Sequence, residues 1–174
     1  MQKDPKKNKT DLTAQDAINK LKELIKGESI CLFCTELMKQ PIITRPMHTQ
    51  QVDDDGNIWF MSSIKSDKNA EIAQNNSVQL FYSNPGNSEY LSVLGNATIS
   101  TDRNKIEELW SPFAKAWFQD GKDDADISLI KVVPQTAYYW DTKSNKMISM
   151  IQMLAAVVTG SAPDDGVEGT LKVK

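Results

Sequence analysis

Arg45-Pro46-Met47 and Phe60-Met61-Ser62-Ser63-Ile64-Lys65-Ser66-Asp67-Lys68 hold the side chains best suited to chemistry in this sequence. The second stretch reads as a strand from Ile58 to Ser62, a brief turn, and a helix opening at Ser66, a good N-cap residue. Lys68 then falls in the first helical turn, where exposed backbone N–H groups favour an anion. A lysine there is out of place, because the positive end of a helix disfavours cations. A bound phosphate removes the conflict. Pro46 pushes Arg45 toward an extended conformation, and arginine grips phosphate with two parallel hydrogen bonds. Arg45, Ser66 and Lys68 therefore read as a phosphate clamp built from a strand edge and a helix start.

The elements that must position this clamp are mostly strands. Residues 13–26 read as an amphipathic helix, with Thr13 and Asp16 resembling a capping box and Ala14, Ala17, Ile18, Leu21, Leu24 and Ile25 forming one apolar stripe. Gly27 ends it. Strand-like runs follow at 30–35, 42–50, 58–62, 78–82 and 90–100, then at 129–134 and 136–140. The turn ending Asp55-Gly56 joins the second run to the third as a hairpin, and Asn84-Pro85-Gly86 joins the fourth to the fifth. Helices are expected at 66–75, 102–117 and 145–158. Short strands joined by turns, with helices at the periphery, predict a mainly β fold, an antiparallel barrel or sandwich. Residues 1–10 read as a disordered tail, 11–160 as one domain, and 161–174 as a flexible tail.

Composition narrows the function classes. The chain has 174 residues, 40% of them hydrophobic and 25% charged, the balance of a globular domain. A net charge of −3 provides no basic field for nucleic acid or an acidic membrane. With no apolar run after the basic start, and none near the roughly 20 residues a bilayer requires, the cytoplasm is the expected compartment. Cys31 and Cys34 form a Cys-x-x-Cys, but in Ser-Ile-Cys-Leu-Phe-Cys-Thr they fall on a strand, where positions three apart face opposite sides. They are expected to be core cysteines rather than a redox pair. The Asp-rich turn does not fit a calcium loop, since Gln51 and Ser62 occupy the first and last ligand positions. The single His48 supports neither a zinc site nor a catalytic triad.

Four motifs in order resemble the FMN-binding split-barrel family typified by pyridoxamine 5′-phosphate oxidase, in particular its bacterial general-stress-protein branch. They are Arg45-Pro46-Met47, the strand–turn–helix Phe60 to Lys68, the run Trp110-Ser111-Pro112-Phe113-Ala114-Lys115-Ala116-Trp117-Phe118, and Tyr139-Trp140-Asp141. The resemblance covers roughly residues 10–150. It implies a split β-barrel of six to seven mostly antiparallel strands that binds FMN, with FAD as the alternative flavin. Arg45, Ser66 and Lys68 would hold the phosphate, and backbone around Pro46, Met47, Met61 and Ser62 the ring edge. Trp117, Phe118 and Trp140 would cover the ring face, with Tyr90 a further flavin-side candidate. In relatives the late tryptophan reaches a flavin bound mainly by the other subunit, which implies a homodimer.

Departures from the family limit what carries over. Asp67 replaces the arginine that precedes the clamp lysine in the oxidase, and Gln119 stands where the branch commonly has proline. No His or Arg follows Arg103, so the oxidase's Arg-x-His-x-Arg substrate segment is missing and vitamin B6 oxidation is not expected. Two readings stay open: an FMN-dependent oxidoreductase, and a non-catalytic flavin-binding stress protein that buffers or senses FMN or FAD. A related barrel with a deazaflavin-like or haem cofactor is a third, the haem weakly supported by one histidine. No residue is assigned as a general acid or base.

Overall fold

The computed structural model describes residues 12–142 and 166–172. In chain order the elements are β1 (Leu12–Thr13), α1 (Ala14–Gly27), β2 (Ile30–Thr35), β3 (Ile43–Val52), β4 (Ile58–Ser63), α2 (Asp67–Gln74), β5 (Ser77–Asn84), β6 (Glu89–Ser100), α3 (Arg103–Leu109), β7 (Ile127–Thr142) and β8 (Gly166–Lys172). Two single 3₁₀ turns, Ala114–Ala116 and Gly121–Asp123, lie between α3 and β7. The sheet runs β7-β4-β3-β2-β5-β6, and β6 pairs back to β7, closing a six-stranded antiparallel barrel. β8 and β1 extend it as an extra flap.

Closure depends on β7, a 16-residue strand with two sets of neighbours. Its first part, Ile127 to Val132, pairs with β4, and its last part, Ala137 to Thr142, pairs with β8. β6 runs along the other edge from Ser100↔Leu129 to Tyr90↔Trp140. The β6–β7 register shifts at Gly95, where an added Cβ would lie 2.7 Å from the Val133 carbonyl oxygen and 2.8 Å from Val132 Cγ1. Only glycine lets the two backbones approach this closely.

Alternation along the strands fills the barrel. Phe33, Ile58, Phe60, Leu80, Val93 and Ile130 are completely buried, and the Phe33 and Phe60 rings meet edge to face at 5.2 Å. The apolar stripe of α1 packs on this core through Ala17, Ile18, Leu21, Leu24 and Ile25, each large side chain contributing about 1.5–3 kcal/mol by leaving water. Lys20, on the same helix, pairs with Asp141 at the end of β7, with its ammonium 5.8 Å from the Tyr139 ring centre.

Cys31 and Cys34 are both buried free thiols. Cys31 belongs to the main core, and loss of solvent pushes its thiol up to about 12. Cys34 Sγ lies 3.3 Å from Thr44 Oγ1. The Asp-rich turn is the β3–β4 hairpin, organised by Asp53. One carboxylate oxygen accepts from the Asp55 and Asn57 amides at 3.0 and 2.8 Å, and the other from Asn57 Nδ2 and Trp59 Nε1 at 2.9 and 2.8 Å. Burial opposes this charge, but those donors hold the carboxyl below its ordinary range.

Three expectations need correction. The helix predicted over 102–117 stops at Leu109: Asp102 caps its start, Trp110 is extended, and Ser111-Pro112 cannot continue it. The tail predicted to be flexible over 161–174 contains β8, whose Leu171 is fully buried against the second half of β7. The strands read at 129–134 and 136–140 are one strand, β7. The tail at 1–10 and the helix at 145–158 lie outside the described residues. No described helix is long and apolar enough to cross a membrane.

Replacing Gly95 with alanine should force the β6–β7 seam apart and cost about 1–3 kcal/mol, the usual penalty of overpacking. Urea unfolding measures this as a lower midpoint at unchanged slope. An unchanged midpoint would show that the seam has slack.

Candidate functional site

The barrel opens where two strands stop pairing. β3 pairs with β2 from Ile30↔His48 to Thr35↔Ile43, but its ladder with β4 runs only from Val52↔Ile58 to Thr49↔Phe60. Beyond that point Met61, Ser62 and Ser63 of β4 pair with β7 alone. Pro46, Met47 and His48 thus face Met61, Ser62 and Ser63 without a shared ladder, and a cleft of about 280 Å³ lies along this gap. Pro46 suits such an edge, since it has no N–H to leave unpaired. The segment after α3 forms the outer wall with Phe113, Ala114, Trp117 and Phe118. Ala114 and Phe118 anchor that wall in a second core with Ile106, Leu109, Ile127 and Leu129, while Phe113 and Trp117 stay exposed, their rings 5.0 Å apart.

Lys68 lines one end of the cleft. Its ammonium has no hydrogen bond or ion pair among the described residues, and neither do the backbone amides of Asp67 and Lys68 at the start of α2. Burial, and secondarily the nearby Arg45 guanidinium, push the Lys68 ammonium below the ordinary lysine value. An unpaired, half-buried cation beside open helix amides is an arrangement that an anion relieves. Arg45 is placed differently. Its guanidinium grips Glu71 of α2 through contacts of 2.9, 3.1 and 2.9 Å. Thr35 Oγ1 also donates to Glu71 at 2.5 Å, and the Arg45 bonds, aided by Thr35, hold that carboxyl below its usual range.

The turn between β4 and α2 is fixed by a network that sequence reasoning missed. Ser66 occupies the N-cap position, yet its hydroxyl does not cap the helix. It turns inward to Ser62 Oγ at 3.1 Å and to Asn69 Oδ1 at 3.2 Å. Ser62 Oγ donates to Asn69 Oδ1 at 2.9 Å, Asn69 Nδ2 donates to Ser128 Oγ at 2.8 Å, and Ser128 Oγ donates to the Ser62 carbonyl at 3.2 Å. A buried asparagine thus ties the first turn of α2 to β4 and β7, which fixes where Lys68 emerges. The cue in the sequence was a polar residue one place after Lys68 on a short helix, and it needed Ser128, far along the chain, to be read.

The predicted site residues fall into separate groups. Pro46, Met47, Met61, Ser62, Lys68, Trp117 and Phe118 line the one cleft, with His48 and Gln50 as unpredicted members. Arg45 and Ser66 sit beside it. Tyr90 and Trp140 do not reach it: they are cross-strand partners on β6 and β7, 41% and 43% exposed. Exposed Leu32 and Phe81 form a second such pair on β2 and β5. Through Leu32↔Pro46 and Ile30↔His48 this outward apolar face runs up to the cleft.

A model of the pyridoxamine 5′-phosphate oxidase like family matches residues 16–164. Among solved structures, a general stress protein 26 from Jannaschia sp. CCS1 is 27% identical and superposes with a TM-score of 0.73, covering 90% of this chain and 98% of its own. The general stress FMN/FAD binding protein from Xanthomonas citri is 25% identical with a TM-score of 0.63, covering 74% of this chain and 90% of its own. Protein bli-3 of Neurospora crassa is 24% identical over 161 residues, 87% of this chain and 77% of that protein.

Replacing Asn69 with leucine should strand the Ser62, Ser66 and Ser128 hydroxyls and cost about 1–3 kcal/mol. Hydrogen exchange should quicken most at the amides of α2. Uniform loss of protection across the barrel would contradict a local role for Asn69.

Proposed function

The chain belongs to the pyridoxamine 5′-phosphate oxidase like family, and we propose that it binds FMN in the β3–β4 cleft as a general-stress-type flavoprotein. The unpaired ammonium of Lys68 beside the open amides of α2 carries this reading. Those groups suit a phosphate, with Arg45 behind them as a second cation whose charge Glu71 shares. The gap between Pro46–His48 and Met61–Ser63 offers strand-edge backbone to a planar ring, and Trp117 and Phe118 offer aromatic cover. Bound there, the flavin would supply hydride or electron transfer, while the chain binds and orients it. FAD is the alternative flavin, supported by the relative from Xanthomonas citri named for both.

A homodimer is part of the same proposal. The cleft is at the small end of ligand sites, which span about 300–1,000 Å³, and the apolar face holding Ile30, Leu32, Phe81, Tyr90 and Trp140 adjoins it. Packing two such faces together buries this surface and lets Trp140 of one protomer complete the cleft of the other. Sedimentation of the flavin-loaded protein should give twice the mass of one chain, and Trp140→Ala should weaken FMN binding. A monomer with tight FMN would sink the idea.

A second reading, a flavin binder without turnover, is favoured by the absence of any Arg or His after Arg103. Anaerobic mixing of the yellow protein with NADH or NADPH separates the two, since bleaching marks an oxidoreductase and lasting colour a binder.

The clamp has its own test. Lys68→Ala should weaken FMN binding about tenfold to a hundredfold, given about 1.5–3 kcal/mol for a charge-assisted hydrogen bond. Riboflavin, which lacks the phosphate, should bind both proteins equally. An equal loss for both ligands would remove Lys68 from the phosphate site.

A further inference from the structure

His48 is the one histidine of the chain, and it lines the cleft from the stretch of β3 that pairs with β2 but not with β4. Its Nδ1 lies 3.1 Å from Gln50 Nε2. An amide nitrogen only donates, so Nδ1 of the neutral ring is the acceptor and the ring proton sits on Nε2. Gln50 reaches this position because of a bulge: Thr49 opposes Phe60 and Gln51 opposes Trp59, leaving Gln50 as the extra residue with no partner on β4. Bulges beside functional sites re-aim side chains in this way. Gln50 Oε1 faces Ser111 Oγ of the outer wall at 3.5 Å. Phe113 of that wall lies against the imidazole, ring centres 5.0 Å apart.

We infer that His48 is a ligand-contacting hydrogen-bond donor of the cleft, its tautomer set by Gln50, and that its protonation tightens the hold on an anionic flavin. This rests on the FMN reading. The groups around His48 are Ile30 opposite it on β2, Phe113 on the outer wall, Met61 across the gap and Gln50 on its own strand, all uncharged. Among the described residues, Lys68 of α2 is the other titratable side chain lining the cleft, and no carboxylate lines it. The proton that charges the ring goes on Nδ1, so the Gln50 amide must turn to offer Oε1 there, and the added positive charge meets no carboxylate among the described residues lining the cleft. Histidine is the side chain whose charge ordinarily changes between about pH 5 and 8. It lies three positions along β3 from Arg45, about 10 Å at the rise of a strand, so its charge reaches the phosphate weakly and any nearer part of the ligand more strongly.

The test is FMN affinity across pH, read by quenching of flavin fluorescence, for the wild type and His48→Gln. The ratio of the two dissociation constants cancels the titration of the phosphate itself. Between about pH 8 and about pH 5.5 that ratio should change by about threefold or more in favour of the wild type, the effect of one charge at this range in a partly solvated cleft. Gln50→Glu places a carboxylate beside Nδ1 and should move the transition to higher pH. His48→Asn replaces the first variant if that one does not fold. A ratio that stays constant with pH overturns the inference while leaving the FMN reading intact. An unmoved transition in Gln50→Glu overturns the role given to Gln50. Failure of the wild type to bind any flavin at any pH overturns the FMN reading, and this inference with it.

Discussion

A closed barrel satisfies the backbone of every strand from its neighbours, and this barrel stops doing so along one short seam. From Thr49↔Phe60 onward β3 and β4 part, β3 staying with β2 and β4 going with β7. Backbone N–H and C=O groups on the two parting edges must then meet water or a ligand, because leaving them buried and unpaired is costly. Pro46 lowers that cost at one position by having no N–H. The cleft, its polar edges and its access to solvent all follow from this divergence. The long β7 makes it tolerable, since it holds β4 and β6 on opposite edges and keeps the barrel closed elsewhere.

The electrostatics of the seam are divided between two cations of different surroundings. Arg45 sits in a satisfied cluster, with Glu71 bidentate and Thr35 closing the carboxylate's remaining bonds. Such a partly buried pair gives rigidity more than net stability, and it fixes α2 against β2 and β3. Lys68 has no such partner among the described residues, and burial and Arg45 both disfavour its charge. The local frame thus holds one cation in surroundings that disfavour its charge. Asn69 and its serines set the geometry there, since they lock the turn from which Lys68 projects.

Much of the barrel was legible in the sequence because its signals are local. Alternating apolar residues located β2 through β6, Asp55-Gly56 located the β3–β4 turn, and the stripe of α1 read directly as a buried face. The candidate residues Ser62, Ser66 and Lys68 were equally local, falling within one strand–turn–helix. What escaped notice depends on distant partners. β8 is a strand because β7 offers it an edge once β4 has turned away, and a short run such as Gly166–Lys172 shows little of that by itself. Asn69 matters through Ser128, and Gln50 through a register shift that no propensity encodes. Ser111-Pro112 was visible, and the helix prediction overran it because the aromatic spacing on either side imitates a helical face.

Strand parity divides the cleft-lining residues of β3. Met47 packs in the core with Cys31 and Phe33 on the neighbouring strand and also borders the cleft, while Pro46 and His48 line the cleft from positions of the opposite parity. Interior positions are held by packing, so their identity is a matter of volume; exterior positions along the seam carry no such demand and are free to carry chemistry. A slip of one residue in the β2–β3 register would turn His48 toward the core and Met47 away from it. The register is therefore a functional as well as a structural constraint. The bulge at Gln50 comes after the last of these positions, where the ladder with β4 has begun again, so it redirects one side chain toward the cleft without disturbing the parity of the strand that forms it.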